Sequence, residues 1–275
     1  MKKYMLFVII GSLLSCGELE RPNTNQFVVE GFVTADFFAN DIKVKETVGL
    51  ADEVIDIPIE DAMVRLSTGE QQVLLDYNPQ TQKYEDTSRE LLVEVGQSLE
   101  IEIVVEGTVA SSSSSVPEKP TNLNLTKTEL IVPPLGFNFG LREQIEDLFE
   151  NETSTFSWEG QPGRSYFVVI ETREEELEPL LPSGIPEESL ELLSSFRFIS
   201  EPSEATSFEI ISIALETYGE HVAKVYSVNE EYVELFNSDT QDSRDLNEPP
   251  SNVLNGLGIF SAFAVDSLEF VVRKP

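Results

Sequence analysis

Residue types able to do covalent or metal chemistry are scarce in this chain. One histidine, His221, and one cysteine, Cys16, occur in 275 residues. A zinc site built from His and Cys is excluded by that count alone. No Gly-x-Ser-x-Gly elbow accompanies His221, which is flanked by Glu220 and Val222 and reads as a surface strand residue. There is no Gly-x-x-x-x-Gly-Lys phosphate loop and no dinucleotide fingerprint. Carboxylates are the one abundant group, 50 against 18 basic side chains. So many acids place some pair at glycosidase spacing by chance, so composition gives no argument for that chemistry. Asp239, Asp242, Asp245 and Glu248 recur every three residues and supply hard oxygen ligands suited to calcium. They lack the EF-hand spacing, and a solvated loop explains them as well. The run Glu174-Glu175-Glu176 reads as a solvated loop flank or as a docking surface for a basic partner. No cofactor and no catalytic residue is expected.

Cys16 has a more definite context. Lys2 and Lys3 form a basic start, and Tyr4 to Leu14 is apolar. That stretch is too short for a membrane span of roughly 20 residues but suits a signal peptide. Leu13-Leu14-Ser15-Cys16 then resembles a bacterial lipobox, in which the chain is cut before the cysteine and the thiol carries diacylglycerol. The competing reading is an ordinary signal peptide or a single N-terminal membrane helix. Acyl chains contribute about 0.8 kcal/mol per buried CH₂, enough for several chains to hold an acidic protein on a membrane. Gly17, in place of an aspartate, favours the outer membrane, and Glu18 and Glu20 loosely resemble an acidic surface-export tag.

The net charge is −32, and residues 1–15 carry two lysines and no acid, so the cleaved chain would stand at −34. Such a surface repels phosphate, which argues against a nucleic-acid partner and against docking on anionic lipid through a basic patch. Hydrophobic content of 40% is nevertheless sufficient for a core.

The elements that must position these residues are strands. Leu99, Ile101, Ile103 and Val105 share one face, with Glu100 and Glu102 on the other. Ala62, Val64 and Leu66 alternate with Met63 and Arg65, and Phe27–Val33 reads as an early strand. Segments 73–77 and 83–87 flank a turn-rich loop and predict a hairpin. Glu106-Gly107 predicts a second turn, with Thr108 to Val116 as its return strand despite five consecutive serines. Further strands are expected at 123–132, 156–158, 166–171, 208–215, 223–228 and 268–272. Trp158 is expected in the core. Three helical patches are expected, around Leu141–Phe149, after Pro186-Glu187-Glu188, and after Asn229-Glu230-Glu231 with Tyr232, Leu235 and Phe236 inward. Asn255-Gly256 and Gly258 suit a tight turn into the last strand pair.

The predicted organisation is mainly β. A signal peptide (1–15) and tether (16–25) precede an N-terminal carboxypeptidase-regulatory-like or Ig-like antiparallel sandwich (26–118). A fibronectin type III-like sandwich with short helical insertions follows (119–275). Ile59-Glu60-Asp61-Ala62-Met63-Val64-Arg65-Leu66 resembles the segment opening carboxypeptidase-regulatory-like domains. Trp158, Pro162 and Tyr166-Phe167-Val168-Val169 resemble the early strands of fibronectin type III domains.

Together with the lipobox, Phe27–Val33, Val95-Gly96-Gln97-Ser98-Leu99, Val116-Pro117, Asn247–Val253 and Asn255–Phe260, these segments resemble an uncharacterised family of Bacteroidota outer-membrane lipoproteins, a domain of unknown function. The resemblance covers the mature chain. Departures are the very acidic loop from Glu171 to Arg197 and a reduced aromatic complement in the first domain. The family is usually encoded beside TonB-dependent transporters. That implies a non-enzymatic accessory or substrate-binding subunit anchored through Cys16, with an outer-membrane β-barrel as partner. It leaves the ligand and the membrane face open. Alternative readings are a surface structural or adhesive β-sandwich module and, behind it, a carboxylate-based hydrolase.

Overall fold

Alternating burial builds the first half. The computed structural model describes residues 27–47, 57–134, 146–148, 150–174, 176–180, 197–239 and 250–275. Strands β1 (Phe27–Thr34), β2 (Asp41–Glu46), β3 (Met63–Ser67), β4 (Gln72–Asn78), β5 (Lys83–Glu85), β6 (Ser98–Val105) and β7 (Thr108–Ser115) follow in order. The hairpin joining β4 to β5 and the turn at Glu106-Gly107 form as expected, the latter with φ of 48° and 86°. The five serines lie inside β7, with Ser112 and Ser114 buried. Leu99, Ile101 and Ile103 meet Val64, Leu66, Ile42 and Val44 in one apolar core.

The second half adds β8 (Thr121–Leu125), β9 (Glu129–Ile131), β10 (Thr153–Glu159), β11 (Ser165–Thr172), β12 (Arg197–Ile199), β13 (Ser207–Ile211), β14 (Gly219–Val228), helix α1 (Glu230–Asp239) and β15 (Leu257–Arg273). A three-stranded sheet, β13-β10-β8, covers one face of β12-β11-β14-β15. Between them lie Phe156, Trp158, Tyr166, Val168, Val225 and Phe270. Trp158 is a core residue, in ring contact with Phe156 and Tyr166. The protein is mainly β with sandwich-like sheets.

Several elements depart from the sequence reading. The run from Leu123 to Val132 forms two strands in different sheets, β8 beside β10 and β9 beside β15. The 208–215 strand stops at Ile211 and continues as a 3₁₀ turn, Ser212–Leu215. Strands β2 and β12 were not foreseen. Leu148 is helical and buried, whereas Leu141, Ile145, Phe149 and the helix expected after Pro186 lie outside the described residues. Helix α1 turns Tyr232 and Val233 onto Phe32, Phe167 and Phe263, while Leu235 and Phe236 are only half-buried.

The largest departure is β15. It begins eleven residues before the expected Leu268 and joins both halves. Leu257 to Phe263 pair parallel with β1, and Ala264 to Val272 pair antiparallel with β14. The first sandwich is therefore not purely antiparallel. Its core includes Val253, Phe260, Ala262 and Ala264 from the C-terminal end. The sheet rolls until β7 meets the segment before β15, where Ser111 and Leu254 exchange two backbone hydrogen bonds. Asn255 and Gly258 take positive φ (59° and 98°), making the turn the glycines predicted. A Cβ on Gly258 would collide with the Val29 carbonyl. Asn252 holds this turn, accepting from Phe260 N at 2.9 Å and donating to Phe260 O at 2.8 Å.

Candidate functional site

His221 corrects the sequence reading first. It is 2% exposed, not a surface residue. The residues at 221, 223 and 225 share the core face of β14, and the His221 ring stacks on Phe270 at 5.4 Å. Its Nδ1 lies 3.1 Å from the Gly219 carbonyl and its Nε2 3.3 Å from Thr217 Oγ1. A carbonyl only accepts, so Nδ1 carries the proton and Nε2 accepts from the threonine hydroxyl. Burial lowers its pKa; the Gly219 hydrogen bond and the Glu174 charge pull the other way. The cavity beside it is about 10 Å³, room for about one water and no substrate. This is a packed core histidine.

The acidic candidates separate. Glu174 accepts from Glu220 N at 2.8 Å and packs over Gly219, where its side chain fills the place a Cβ would take and the backbone holds a φ of 106°. It is a local brace, with Glu176 exposed two residues on. Glu175 lies outside the described residues. Asp239 ends α1, and Asp242, Asp245 and Glu248 lie outside the described residues, as does Cys16. Among the described residues no group of three or more His, Cys, Asp or Glu is placed to hold a metal.

A concave site does form at the elbow between the two halves, in a groove of about 530 Å³. Its floor is the outer face of β14 and β15, with Lys224, Tyr226, Val265 and Ser267. Lys224 and Tyr226 point the same way because side chains alternate along β14. The Tyr226 ring is itself stacked on Phe167 at 4.7 Å. One wall is the turn after β1, with Asp36, Phe37 and Asn40. Asp36 takes φ of 67°, a conformation Asp tolerates better than most residues. That turn is pinned through its backbone: Asp36 N donates to Val93 O at 2.7 Å, and Phe37 N to Thr34 O at 3.2 Å. The Phe37 ring is left 53% exposed at the lip. Lys119, from the segment linking the halves, and Arg173, just past β11, complete the groove.

The charges here are unusual for a chain at −32. Three cations converge, and each is ion-paired: Lys119 with Asp36, Lys224 with Glu171, and Arg173 with Glu269. Asp266 accepts the Ser267 N–H at 2.8 Å. The groove is a locally balanced patch on an acidic protein. Its carboxylates are engaged by cations and backbone. Sequence reasoning missed it because its residues come from five separate stretches.

Helix α1 and a polar knot fix the elbow angle. Asn229 was expected to cap the helix, but its Oδ1 accepts from Arg164 at 2.8 Å. Its Nδ2 lies within 3.2 Å of Ser114 Oγ, Ser115 O and Ala262 O. Glu231 Oε1 accepts from Ser114 and Ser261 hydroxyls at 2.7 and 3.1 Å.

A family model described as a domain of unknown function (DUF4249) matches residues 17–269. No curated protein matches the sequence. Among solved structures, the FN1–FN3 domains of chicken CNTN1 align at 9% identity and a TM-score of 0.26, over 90% of this chain and 67% of that one. Titin domains A168–A170 align at 8% identity and a TM-score of 0.23, over 89% of this chain and 62% of theirs. The IG1+IG2 region of DIP-gamma aligns at 10% and 0.19, over 91% of this chain and 97% of that one.

Proposed function

The chain belongs to the DUF4249 family, and from that membership we propose that it is a lipid-anchored, non-enzymatic binding subunit of an outer-membrane transporter. The observation that carries the binding role is the elbow groove, concave and polar, with its charges already paired. Fixed side chains on paired strands suit capture of a small ligand at the junction of two units. The anchor reading is supported by the position of the family match, which starts at residue 17, directly after Cys16. Among the described residues no helix is long and apolar enough to cross a membrane. A diacylglycerol thioether on Cys16 would provide the attachment. The partner expected beside it is a TonB-dependent β-barrel.

Purification from native membranes in mild detergent tests the partnership. The expected result is co-purification of a large β-barrel protein with the tagged chain, and metabolic labelling of the wild type but not of Cys16→Ala by a lipid precursor. Isolation without a barrel, under conditions that preserve known barrel complexes, would overturn the transporter role. Labelling that survives Cys16→Ala would overturn the anchor.

A further inference from the structure

We infer that the elbow groove takes a short uncharged oligosaccharide, a ligand class that rests on the binding-subunit reading of the same site. Three observations lead there.

The first is that the groove offers little free backbone. β14 is paired on both edges, by β11 and β15, and β15 pairs with β1 up to Phe263 and with β14 from Ala264 on. Beside Val265 to Ser267 none of the described strands pairs with the outer edge of β15, but the Ser267 N–H is already held by Asp266 Oδ1 at 2.8 Å. In the wall, Ala35 N donates to Phe263 O, Asp36 N to Val93 O and Phe37 N to Thr34 O. An extended peptide gains most of its affinity on such surfaces by adding a strand to an open edge, and beside 265–267 it would first have to displace the Asp266 contact to Ser267 N. Recognition rests mainly on side chains.

The second is charge. Lys119, Lys224 and Arg173 each already face a carboxylate. A charged ligand of either sign would displace one of these partners or go uncompensated. An anion would also approach against the field of a chain at −32. An uncharged ligand meets neither penalty.

The third is what remains in the lining. Thr34, Asn40 and Ser267 carry groups that both donate and accept hydrogen bonds. Sugar hydroxyls also do both. The exposed Phe37 ring and the half-buried Tyr226 ring supply the apolar surface that the C–H face of a pyranose requires. The volume, about 530 Å³, lies within the roughly 300–1,000 Å³ of small-molecule sites.

Titration calorimetry on the mature full chain decides the matter. The probes are neutral gluco-, xylo- and fructo-trisaccharides and tetrasaccharides, an acidic galacturonate trimer and an uncharged tripeptide, each at low and high salt. At least one neutral saccharide should bind, with affinity changing less than about two-fold with salt, because an uncharged ligand has nothing to screen. Phe37→Ala and Asn40→Ala should each weaken it about ten-fold with thermal unfolding unchanged, since both residues are exposed. Binding of only the acidic trimer or only the peptide would overturn the inference. So would heat of binding that both variants leave untouched, or no binding by any neutral saccharide. Barrel co-purification by the wild type separates the two readings. If a barrel co-purifies while no saccharide binds the wild-type chain, the ligand class is wrong and the subunit role stands. If saccharide binds but no barrel co-purifies with the wild type, the reverse holds.

Discussion

Gly31 and Phe260 face one another across the parallel ladder of β1 and β15, and a Cβ at position 31 would stand 2.9 Å from Phe260 Cδ2. The contact lets a fully buried C-terminal aromatic lie over an N-terminal strand and complete the first core. Gly31→Ala must push that ring aside in a packed interior. It is expected to cost about 1–3 kcal/mol by overpacking. Phe260→Ala should cost about 3–5 kcal/mol through the cavity it leaves. In the double variant Gly31→Ala/Phe260→Ala the missing ring relieves the clash, so the combined loss should fall below the sum. Urea denaturation reads all three, and an additive double variant would contradict the contact.

The same pair explains what could be read from sequence and what could not. Leu99 to Val105 was legible because one face is wet, so Glu100 and Glu102 mark the alternation. The first half of β15 carries no such mark. Ile259 to Ala264 are buried without interruption, as residues in a strand covered on both faces are, and the period vanishes. The glycines before it were rightly read as a turn, but the strand they introduce was not. His221 reads as a surface residue beside the exposed Glu220, although its alternate positions Ala223 and Val225 are apolar and mark the core face. The elbow groove was invisible because its residues meet only after β15 joins the two halves.

Asn229 carries a prediction about how the halves hold together. It is 7% exposed and bonds to Arg164, Ser114, Ser115 and Ala262. Asn229→Ala strands these buried partners and should cost about 1–3 kcal/mol. Asn229→Asp keeps the shape and the Arg164 contact but sets an acceptor against the Ser115 and Ala262 carbonyls. It should cost at least as much. Calorimetry should show one unfolding transition in the wild type and a broader or split one in either variant. A wild-type-like Asn229→Asp would mean that the Nδ2 contacts contribute little.

His221 sets an acid limit. Its pKa is lowered in the fold, chiefly by burial. The unfolded chain, with a pKa near 6.5, then binds more protons than the native one as pH falls below that value. Stability from keeping this ring neutral is present above about pH 6.5 and is lost as pH falls through the folded pKa. His221→Gln retains a donor and an acceptor without a titrating ring. Its stability should vary less between pH 7 and 5 than that of the wild type, as measured by chemical denaturation across that range. Parallel curves for the two proteins would place the acid sensitivity elsewhere.

Tyr84 sets the alkaline limit by the opposite sign. Its hydroxyl donates to Ile59 O at 2.7 Å and accepts from Ala62 N at 2.9 Å, tying the segment before β3 to β5. Burial is the main cause pushing its pKa up to about 12, with nearby Asp61, Tyr77 and Glu60 adding to it and the Ala62 N–H opposing. The unfolded value is near 10. The stabilisation from a neutral phenol is therefore complete below pH 10 and is lost as pH rises through about 12. Tyr84→Phe removes the donor and the acceptor together and leaves Ala62 N–H buried without its partner. At neutral pH it should cost about 1–3 kcal/mol. Burial also raises the pKa of Tyr77, Tyr218 and Tyr232, so phenolate absorbance should show one fewer late-titrating tyrosine in Tyr84→Phe than in the wild type. Denaturation between pH 9 and 12 should weaken the wild type more steeply than the variant, because only the wild type has that proton to lose. Equal slopes would show that this hydroxyl's burial does not limit the fold in alkali.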